Sequence, residues 1–324
     1  MGVSIERTGF ISCKDLTEQL ITDMRDNGFT MVFPAIVTPG THKAVLEASS
    51  TVDPLNQGAN PQPWRVFIEA QTDFRVVMNV ATPLQIKDDG TVSTLTQADG
   101  GGTSGIIGMD DMGSQPSPQN CFIERTDGGA TGITTLEQAQ SYPMSYRLTI
   151  TDRGFCVFVW TQASDIQGNK FSWVLVQRPV DHLTGATLVA GKAPVFCVYS
   201  TGNNIRKFVV READIQKPTK SLTAVSNTED SNAIINDQKM VSINEASKYV
   251  VRFPNGLNTQ RYAYTEELDM LGYTSADVVS EWSQVPIRPY GETQDRIYKA
   301  LKANGANNIG MRIAMLMTGA GAGN

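Results

Sequence analysis

The clearest pattern of apolar and polar positions lies in the middle of the chain. Two dense apolar runs, 155–160 and 171–176, are separated by polar residues, and a further strand-like stretch, 144–151, precedes them across a tight turn at 152–154. Antiparallel strands joined by short turns are typical of a sandwich or an open, barrel-like sheet. Because neither run alternates strictly between apolar and polar residues, both faces of these strands are expected to be covered.

One cover is expected to be the domain's own second layer. The other is either the N-terminal helix with its neighbours or a second copy of the protein. The meander is predicted to continue through "PVFCVYS" (194–200) and "KFVVRE" (207–212), across a turn at 201–203.

The N-terminal region is predicted to form a helix and then a strand. In "SCKDLTEQLITDMRDNG" (12–28) four apolar residues recur at helical spacing, namely Leu16, Leu20, Ile21 and Met24. Ser12 with Asp15 fits an N-terminal cap, and Gly28 fits the left-handed end of a helix. The apolar stretch "FTMVFPAIV" (29–37) follows directly as a strand.

A hairpin is predicted from "PWRVFIEAQ" (63–71) and "FRVVMNVATPLQI" (74–86). The first arm has the period-two pattern of a half-exposed strand, with Val66, Ile68 and Ala70 opposed to Arg65, Phe67 and Glu69. Asp89-Gly90 predicts a further turn.

The C-terminal region is predicted to mix helices and strands. "KYVVRFP" (248–254) and "NIGMRIAMLM" (308–317) have the composition of strands. One or two short helices are expected within 265–284, capped by Thr265 and Ser275, and a clear helix over 291–305, with Ile297, Ala300 and Leu301 inward.

The predicted class is therefore α+β and mostly β. An antiparallel β-sandwich or barrel-like core carries an N-terminal helix and a smaller α/β C-terminal region. The expected segments are an N-terminal helix with β-hairpins (1–97), a Gly-rich loop or arm (98–120), the β core (121–215), a polar linker or arm (216–245, its most polar part 216–232) and the C-terminal α+β region (246–324).

Composition excludes some partners. The chain has 324 residues, a formal net charge of −6 and only 19% charged residues. No cluster of Lys and Arg provides the basic face that phosphate binding needs, the nearest being Lys217 and Lys220, so direct nucleic-acid binding is not expected. The chain has no apolar run long enough to span a bilayer and no signal-peptide pattern, which predicts synthesis in a cytoplasm and no membrane partner.

Candidate chemistry is sparse. Thr184–Pro194 ("TGATLVAGKAP") departs from a phosphate-binding loop in spacing and in its Ala193. Paired aspartates in 109–114 and 86–90 lack the ligand spacing of a calcium loop and are interpreted as solvated turns. We therefore predict no metal site, no cofactor and no catalytic residues.

The cysteines and histidines support the same prediction. Cys13, Cys121, Cys156 and Cys197 form no C-x-x-C pair and are expected to be buried free thiols. A nucleophilic trio of Cys156, His182 and Asp181 lacks support, since Cys156 lies in mid-strand. The only other histidine is His42, too few for a histidine-rich zinc site.

Four tryptophans are candidates for a sugar-binding platform: Trp64, Trp160, Trp173 and Trp282. Trp160 and Trp173 lie in the apolar strands and are expected in the core. Trp64, which follows "NPQP" at a strand entrance, is the best candidate for an exposed ring.

Several stretches resemble structural proteins of tailed-phage virions, above all tail and baseplate components of contractile phages. They are "LITDMRDNGFTMVFP", "TVDPLNQGANPQPWRVFIEAQ", "RLTITDRGFCVFVW" and "NKFSWVLVQRPVD". The resemblance covers about the first two-thirds of the chain. It implies small β-domains with extended arms, acting by assembly with other virion proteins and with further copies in a ring-type homo-oligomer.

The resulting expectation is a non-enzymatic structural component, made in the host cytoplasm and located in the virion. Two alternatives stay open. One is a carbohydrate- or receptor-binding module, which exposed Trp and Tyr around Trp64 would favour. The other is a virion-associated carbohydrate-active enzyme, which a cleft with convergent carboxylates would favour.

Overall fold

The structure is a computed structural model of the whole chain. It describes residues 2–54, 63–72, 75–81, 83, 86–92, 122–124, 143–161, 171–178, 180–181, 195–201, 204–210, 224–225, 241–243, 246–252, 266–275, 279–287, 293–303 and 311–318.

The described residues form one helix and three antiparallel sheets. The helix is α1 (Cys13–Asp26). The central sheet has the order β1 (Val3–Phe10), β7 (Met144–Thr151), β8 (Gly154–Thr161), β9 (Phe171–Gln177), β11 (Val195–Thr201), β12 (Asn204–Val210) and β13 (Ala224–Val225). The N-terminal sheet has the order β2 (Phe29–Phe33), β3 (Lys43–Ala48), β4 (Arg65–Thr72), β5 (Arg75–Ala81) and β6 (Phe122–Glu124).

The C-terminal sheet has the order β14 (Val241–Ile243), β15 (Ala246–Arg252), β16 (Glu266–Ser275), β19 (Met311–Leu316), β18 (Arg296–Ala303) and β17 (Gln284–Ile287). The short strand β10 (Val180–Asp181) pairs with β16. The predicted class, mostly β with an N-terminal helix and antiparallel strands, is confirmed.

Helix α1 forms where the sequence predicts it. The Ser12 side chain accepts a hydrogen bond from the Lys14 backbone N–H at 3.1 Å, and Gly28 has a φ of +109° just past the helix. The four predicted apolar residues are all buried: Leu16, Leu20, Ile21 and Met24. They form one core with residues of the N-terminal sheet and of β7 and β8.

The predicted hairpin and turn are confirmed, but the half-exposed character of β4 is wrong. Strands β4 and β5 pair, and Gly90, with a φ of +77°, donates its N–H to the Lys87 carbonyl at 3.1 Å. Val66 and Ile68 belong to the main core. Phe67, on the opposite face, is only 3% exposed and packs in a second cluster with Val45, Val77 and Ile86.

Both faces of the central strands are covered, as predicted, and the chain covers them itself. Phe155, Val157 and Val159 of β8 face the core shared with α1 and the N-terminal sheet. On the opposite face the C-terminal sheet approaches. Thr149 donates its hydroxyl to the Leu316 carbonyl at 2.8 Å, and the ring centroids of Trp160 and Trp282 are 4.9 Å apart.

The C-terminal helices predicted within 265–284 and over 291–305 are wrong. Strand β16 occupies 266–275, a turn followed by β17 occupies the described residues 279–287, and β18 occupies 296–303. In β16 and β18 the reason is a shift of the strand register, as at a β-bulge. The β18–β19 register shifts between Ala300 and Ala303, and both Ala300 and Leu301 are buried. In β16 the register with β15 shifts likewise, and Met270 and Leu271 are both buried. Such a shift places two consecutive side chains inward, and this pattern resembles the spacing of apolar residues on one face of a helix. Pairing with neighbouring strands then overrides the local helix propensity.

Within 216–245, expected as a linker or arm, β13 pairs with β12 and β14 pairs with β15. The Gly-rich segment 98–120 lies outside the described residues. The strand β1 has no counterpart among the sequence predictions, and it pairs with β7 from Val3 opposite Ile150 to Phe10 opposite Met144.

Candidate assembly surface

The edges of the three sheets are candidate contact sites because an edge strand has backbone groups on its outer side that its sheet does not pair. Among the described residues the edge strands are β1 and β13, β2 and β6, and β14 and β17. Strands β1 and β2 lie at the N-terminal end of the chain, on either side of α1, and their side chains are described.

Strand β1 carries two charged residues, Glu6 and Arg7, and both form ion pairs within the chain. Glu6 Oε2 accepts hydrogen bonds from Arg147 Nη1 at 2.7 Å and from Lys299 Nζ at 3.3 Å. Arg7 binds Asp23 of α1 through two nitrogens, at 2.9 and 3.0 Å. Burial lowers the pKa of the Arg147 guanidinium, although Glu6 acts in the opposite direction. These pairs fasten β1 to three other elements.

Asp23 is the centre of a buried polar cluster. Besides Arg7, its carboxylate accepts hydrogen bonds from the Tyr146 hydroxyl at 2.7 Å and from Gln19 Nε2 at 2.9 Å. Burial raises the pKa of Asp23, but these hydrogen bonds outweigh burial and hold the pKa below its usual value. Burial and the neighbouring carboxylate raise the pKa of Tyr146. With its charge and acceptors occupied, Asp23 fits a structural clamp between α1, β1 and β7.

Strand β2 and the loop that follows it in the sequence form a surface that differs in charge from that of β1. The stretch from Asn27 to His42 contains no Asp, Glu, Lys or Arg. The cis peptide bond Phe33-Pro34 ends β2, and Ile36 in the following loop is 73% exposed. Among the described residues it is the one large apolar side chain that is mostly exposed to solvent.

Hydrogen bonds hold the loop after β2 in place. Gly40 donates its N–H to Glu18 Oε2 of α1 at 2.7 Å, and Thr38 donates its N–H to the Thr41 hydroxyl at 2.9 Å. The Thr41 N–H in turn donates to the Thr38 carbonyl at 2.9 Å. A loop fixed in this way holds Ile36 in one position on the surface.

A cleft of about 340 Å³ lies between the β7–β8 turn and the C-terminal sheet. Asp152 and Arg153 line one side, and Asp295 and Arg296 line the other. Two carboxylates and two guanidinium groups leave the cleft without a net charge, so it has no electrostatic preference for an anion or a cation.

Trp64, predicted as the most exposed tryptophan, is in fact 1% exposed, so that prediction is wrong. Its Nε1 donates to Asp53 Oδ2 at 3.0 Å, and Arg178 binds the same carboxylate at 2.5 and 2.6 Å. Asp53 and Arg178 are each 1% exposed. The Trp64 indole is buried because it donates to the carboxylate of a buried ion pair. This pair, Asp53–Arg178, joins the loop after β3 to the end of β9. Trp160 and Trp173 are in the core, as predicted.

The predicted thiol environment is confirmed where the structure describes it. Cys13 and Cys156 are free and buried, and burial raises the pKa of Cys156 above that of an ordinary thiol. Cys197 lies in β11, and Asp181 lies in β10 opposite Glu266. Cys121 and His182 lie outside the described residues, so the trio with Cys156 is not assembled among those that are described.

Of the other candidate residues, some lie within the described part of the chain and some lie outside it. Asp88 is 85% exposed and pairs with Arg65 Nη1 at 2.7 Å, and Asp89 Oδ1 accepts from the Thr91 N–H at 2.9 Å, as expected of a solvated turn. His42 Nε2 lies 3.7 Å from Glu18 Oε2. Residues 109–114 and 184–194 lie outside the described part. Within that part no three His, Cys, Asp or Glu side chains come together as metal ligands.

Comparisons with protein-family models, with curated proteins and with solved structures found no match for this chain. Among the residues that the structure describes, no helix has the length and apolar character needed to cross a membrane.

Sequence reasoning missed both the β1 edge and the Asp23 cluster. A signal for β1 was present, since Val3 and Ile5 alternate with Ser4 and Glu6 at the period of a strand. No local pattern could identify the cluster, because Tyr146 lies 123 positions after Asp23 in the sequence.

Proposed function

We propose that this chain is a structural component of a tailed-phage virion, of the tail or baseplate, and that it acts by protein–protein assembly. Its partners are other virion proteins and further copies of itself in a ring-type oligomer. The chain is made in the host cytoplasm, is located in the particle and is not an enzyme.

One observation carries this proposal. Among the described residues the chain covers both faces of β7 and β8 by itself, while it keeps strand edges and a fixed, uncharged apolar segment at its surface. A unit with a self-contained core needs no partner in order to fold, so its surface edges are available for neighbours. Addition of a strand to a sheet edge is a common mode of recognition between proteins.

Composition supports the same proposal. With a net charge of −6 and 19% charged residues, the surface is poorly suited to phosphate backbones and better suited to polar, hydrogen-bonded contacts between proteins. Free, buried thiols are consistent with folding in a reducing compartment.

Mass spectrometry of virions purified from the phage that encodes the chain tests the proposal, together with deletion of its gene. We expect the chain in the particles at a fixed copy number, and we expect deletion to yield incomplete tails. The absence of the chain from purified virions would contradict the proposal. A monomeric chain that hydrolyses a host glycan would contradict it as well.

A further inference from the structure

We propose that residues 29–37, which comprise β2 and the first half of the following loop, form a self-association surface that takes a second copy of this chain. We call these residues the β2 surface. The inference rests on the proposed assembly role and deepens it, because it names one contact surface and its occupant.

Beyond Phe29, which is buried, the residues of the β2 surface are uncharged and at least partly accessible. Thr30, Ala35 and Ile36 are exposed. The remaining residues beyond Phe29 are half-buried: Met31, Val32, Phe33, Pro34 and Val37. Ile36 stands out at 73% exposure. A single exposed apolar residue needs no explanation. Ile36, however, lies between the accessible apolar residues Ala35 and Val37 in a segment without charge, and this continuity is the basis for a contact site.

The loop that carries Ile36 is ordered before any partner binds. The bonds from Gly40 to Glu18 and from Thr38 to Thr41 fix its far end, and Phe33 at its near end packs against the Gly90 turn. An anchor held in its bound position loses little conformational entropy on association. Ile36 therefore has the properties of a preformed apolar anchor.

The strand contributes backbone groups as well as side chains. Ala48, opposite Phe29, donates its N–H to Trp64, which lies on the far side of β3. By the alternation of an antiparallel ladder, the N–H and C=O groups of Phe29 and Met31 point away from β3, towards the outer edge. The bulge at Val32 and the proline at 34 limit strand pairing to a few residues, so the side chains around Ile36 must supply most of the contact.

Charge argues for a second copy as the occupant. In a two-fold contact a surface faces itself, so any charge on it meets the same charge on the partner. Copies with a net charge of −6 repel each other, and the stretch from Asn27 to His42 is the longest in the chain without an acidic or basic side chain. The charges nearby have internal contacts. Glu18 accepts from Gly40, and Lys43 Nζ lies 5.4 Å from the Phe67 ring centroid. Glu47, opposite Thr30, pairs with Arg65, and Asp26 pairs with Arg25.

Strand β1 differs in this respect. Its edge exposes Glu6 and Arg7, which would face their own copies across a two-fold axis. A two-fold contact also closes at two copies, whereas a ring needs a second, different contact. The β2 surface therefore predicts a dimer of the isolated chain, and the proposed ring requires another interface.

Sedimentation velocity of the purified full chain over a range of micromolar concentrations tests the inference. We expect a reversible dimer. Ile36→Lys should weaken the association by about 30-fold or more, the effect of losing a central apolar anchor. Ile36→Ser should weaken it in the same direction without adding charge. Thr8→Lys is the matched control, since it places the same charge on the exposed part of β1 and should leave the dimer unchanged.

A wild-type chain that stays monomeric at all concentrations would overturn the inference, as would a dimer that Thr8→Lys weakens as much as Ile36→Lys does. Circular dichroism of each variant excludes unfolding as the cause. Failure of the two proposals can be told apart. A monomeric chain that is present in virions overturns the β2 surface alone, and a dimeric chain that is absent from virions overturns the proposed function.

Discussion

At the scale of single residues, two buried carboxylates each bind several donors at once. Asp23 receives Arg7, Tyr146 and Gln19, and Asp53 receives Arg178 and Trp64. Each cluster joins parts of the chain that are far apart in sequence. Removing one member of a buried charged cluster leaves the others without compensation, which costs more than the cluster contributes as a whole.

Asp23→Asn should lower the free energy of unfolding by about 2 kcal/mol at neutral pH, because the charge that holds Arg7 and Tyr146 is lost. Urea denaturation followed by circular dichroism measures the change. Asp26→Asn is the control, since the Asp26–Arg25 pair is exposed and should contribute below about 0.5 kcal/mol. Equal effects of the two substitutions would contradict the role of Asp23.

The same cluster predicts a pH dependence. The pKa of Asp23 is lowered in the folded state, so its contribution is fully present above its unfolded value, near 3.8, and is lost as the pH falls through the folded value. The difference in stability between wild type and Asp23→Asn should therefore shrink below pH 3.8. Denaturation at a series of acidic pH values checks this, and a constant difference would contradict it.

Asp53→Asn should be more damaging, by about 3–5 kcal/mol, because Arg178 is 1% exposed and loses its carboxylate inside the protein. Asp88→Asn is the control. Its carboxylate is 85% exposed, and Arg65 keeps Glu47 as a partner at 2.9 Å, so the expected effect is below about 0.5 kcal/mol. Thermal unfolding of both variants makes the comparison. A mild effect of Asp53→Asn would show that the pair is not essential to the fold.

At the scale of elements, the sequence pattern predicted an element correctly where a single buried face determines its structure. Helix α1 has a cap, a single apolar face and a glycine end, and each has a local signal in Ser12, Leu16 and Gly28. The pattern failed in β16 and β18, where bulges place two consecutive residues inward. Burial of Trp64 was also unpredictable from local sequence, because its partner Asp53 is held by Arg178, which comes from the end of β9.

The β7–β8 turn supplies an element-scale prediction. Gly154 has a φ of +148°, and a Cβ there would overlap the carbonyl oxygen of Val176 on β9. Gly154→Ala should therefore destabilise the central sheet by about 3 kcal/mol or more. Gly9→Ala is the control, since its φ is +87° but open space surrounds it, and it should cost about 1 kcal/mol. Soluble yield and thermal unfolding of the two variants test the difference.

At the scale of the whole molecule, the chain provides its own covers for strands β7 and β8 of the central sheet. The helix and the N-terminal sheet cover one face, and the C-terminal sheet approaches the other through Leu316 and Trp282. The sequence predicted that both faces are covered but left open whether a second copy supplies one cover. Long-range packing decides that question, and no local pattern encodes it. Self-association is therefore proposed for edges and loops and not for the central sheet.

Hydrogen exchange of intact virions against the isolated chain tests assembly most directly. The account predicts that the amides of residues 29–37, and those of 98–120 and 216–232, exchange markedly more slowly in the particle, while amides of β7 and β8 exchange at similar rates in both states. Equal exchange of all these segments in the particle and in the free chain would contradict it.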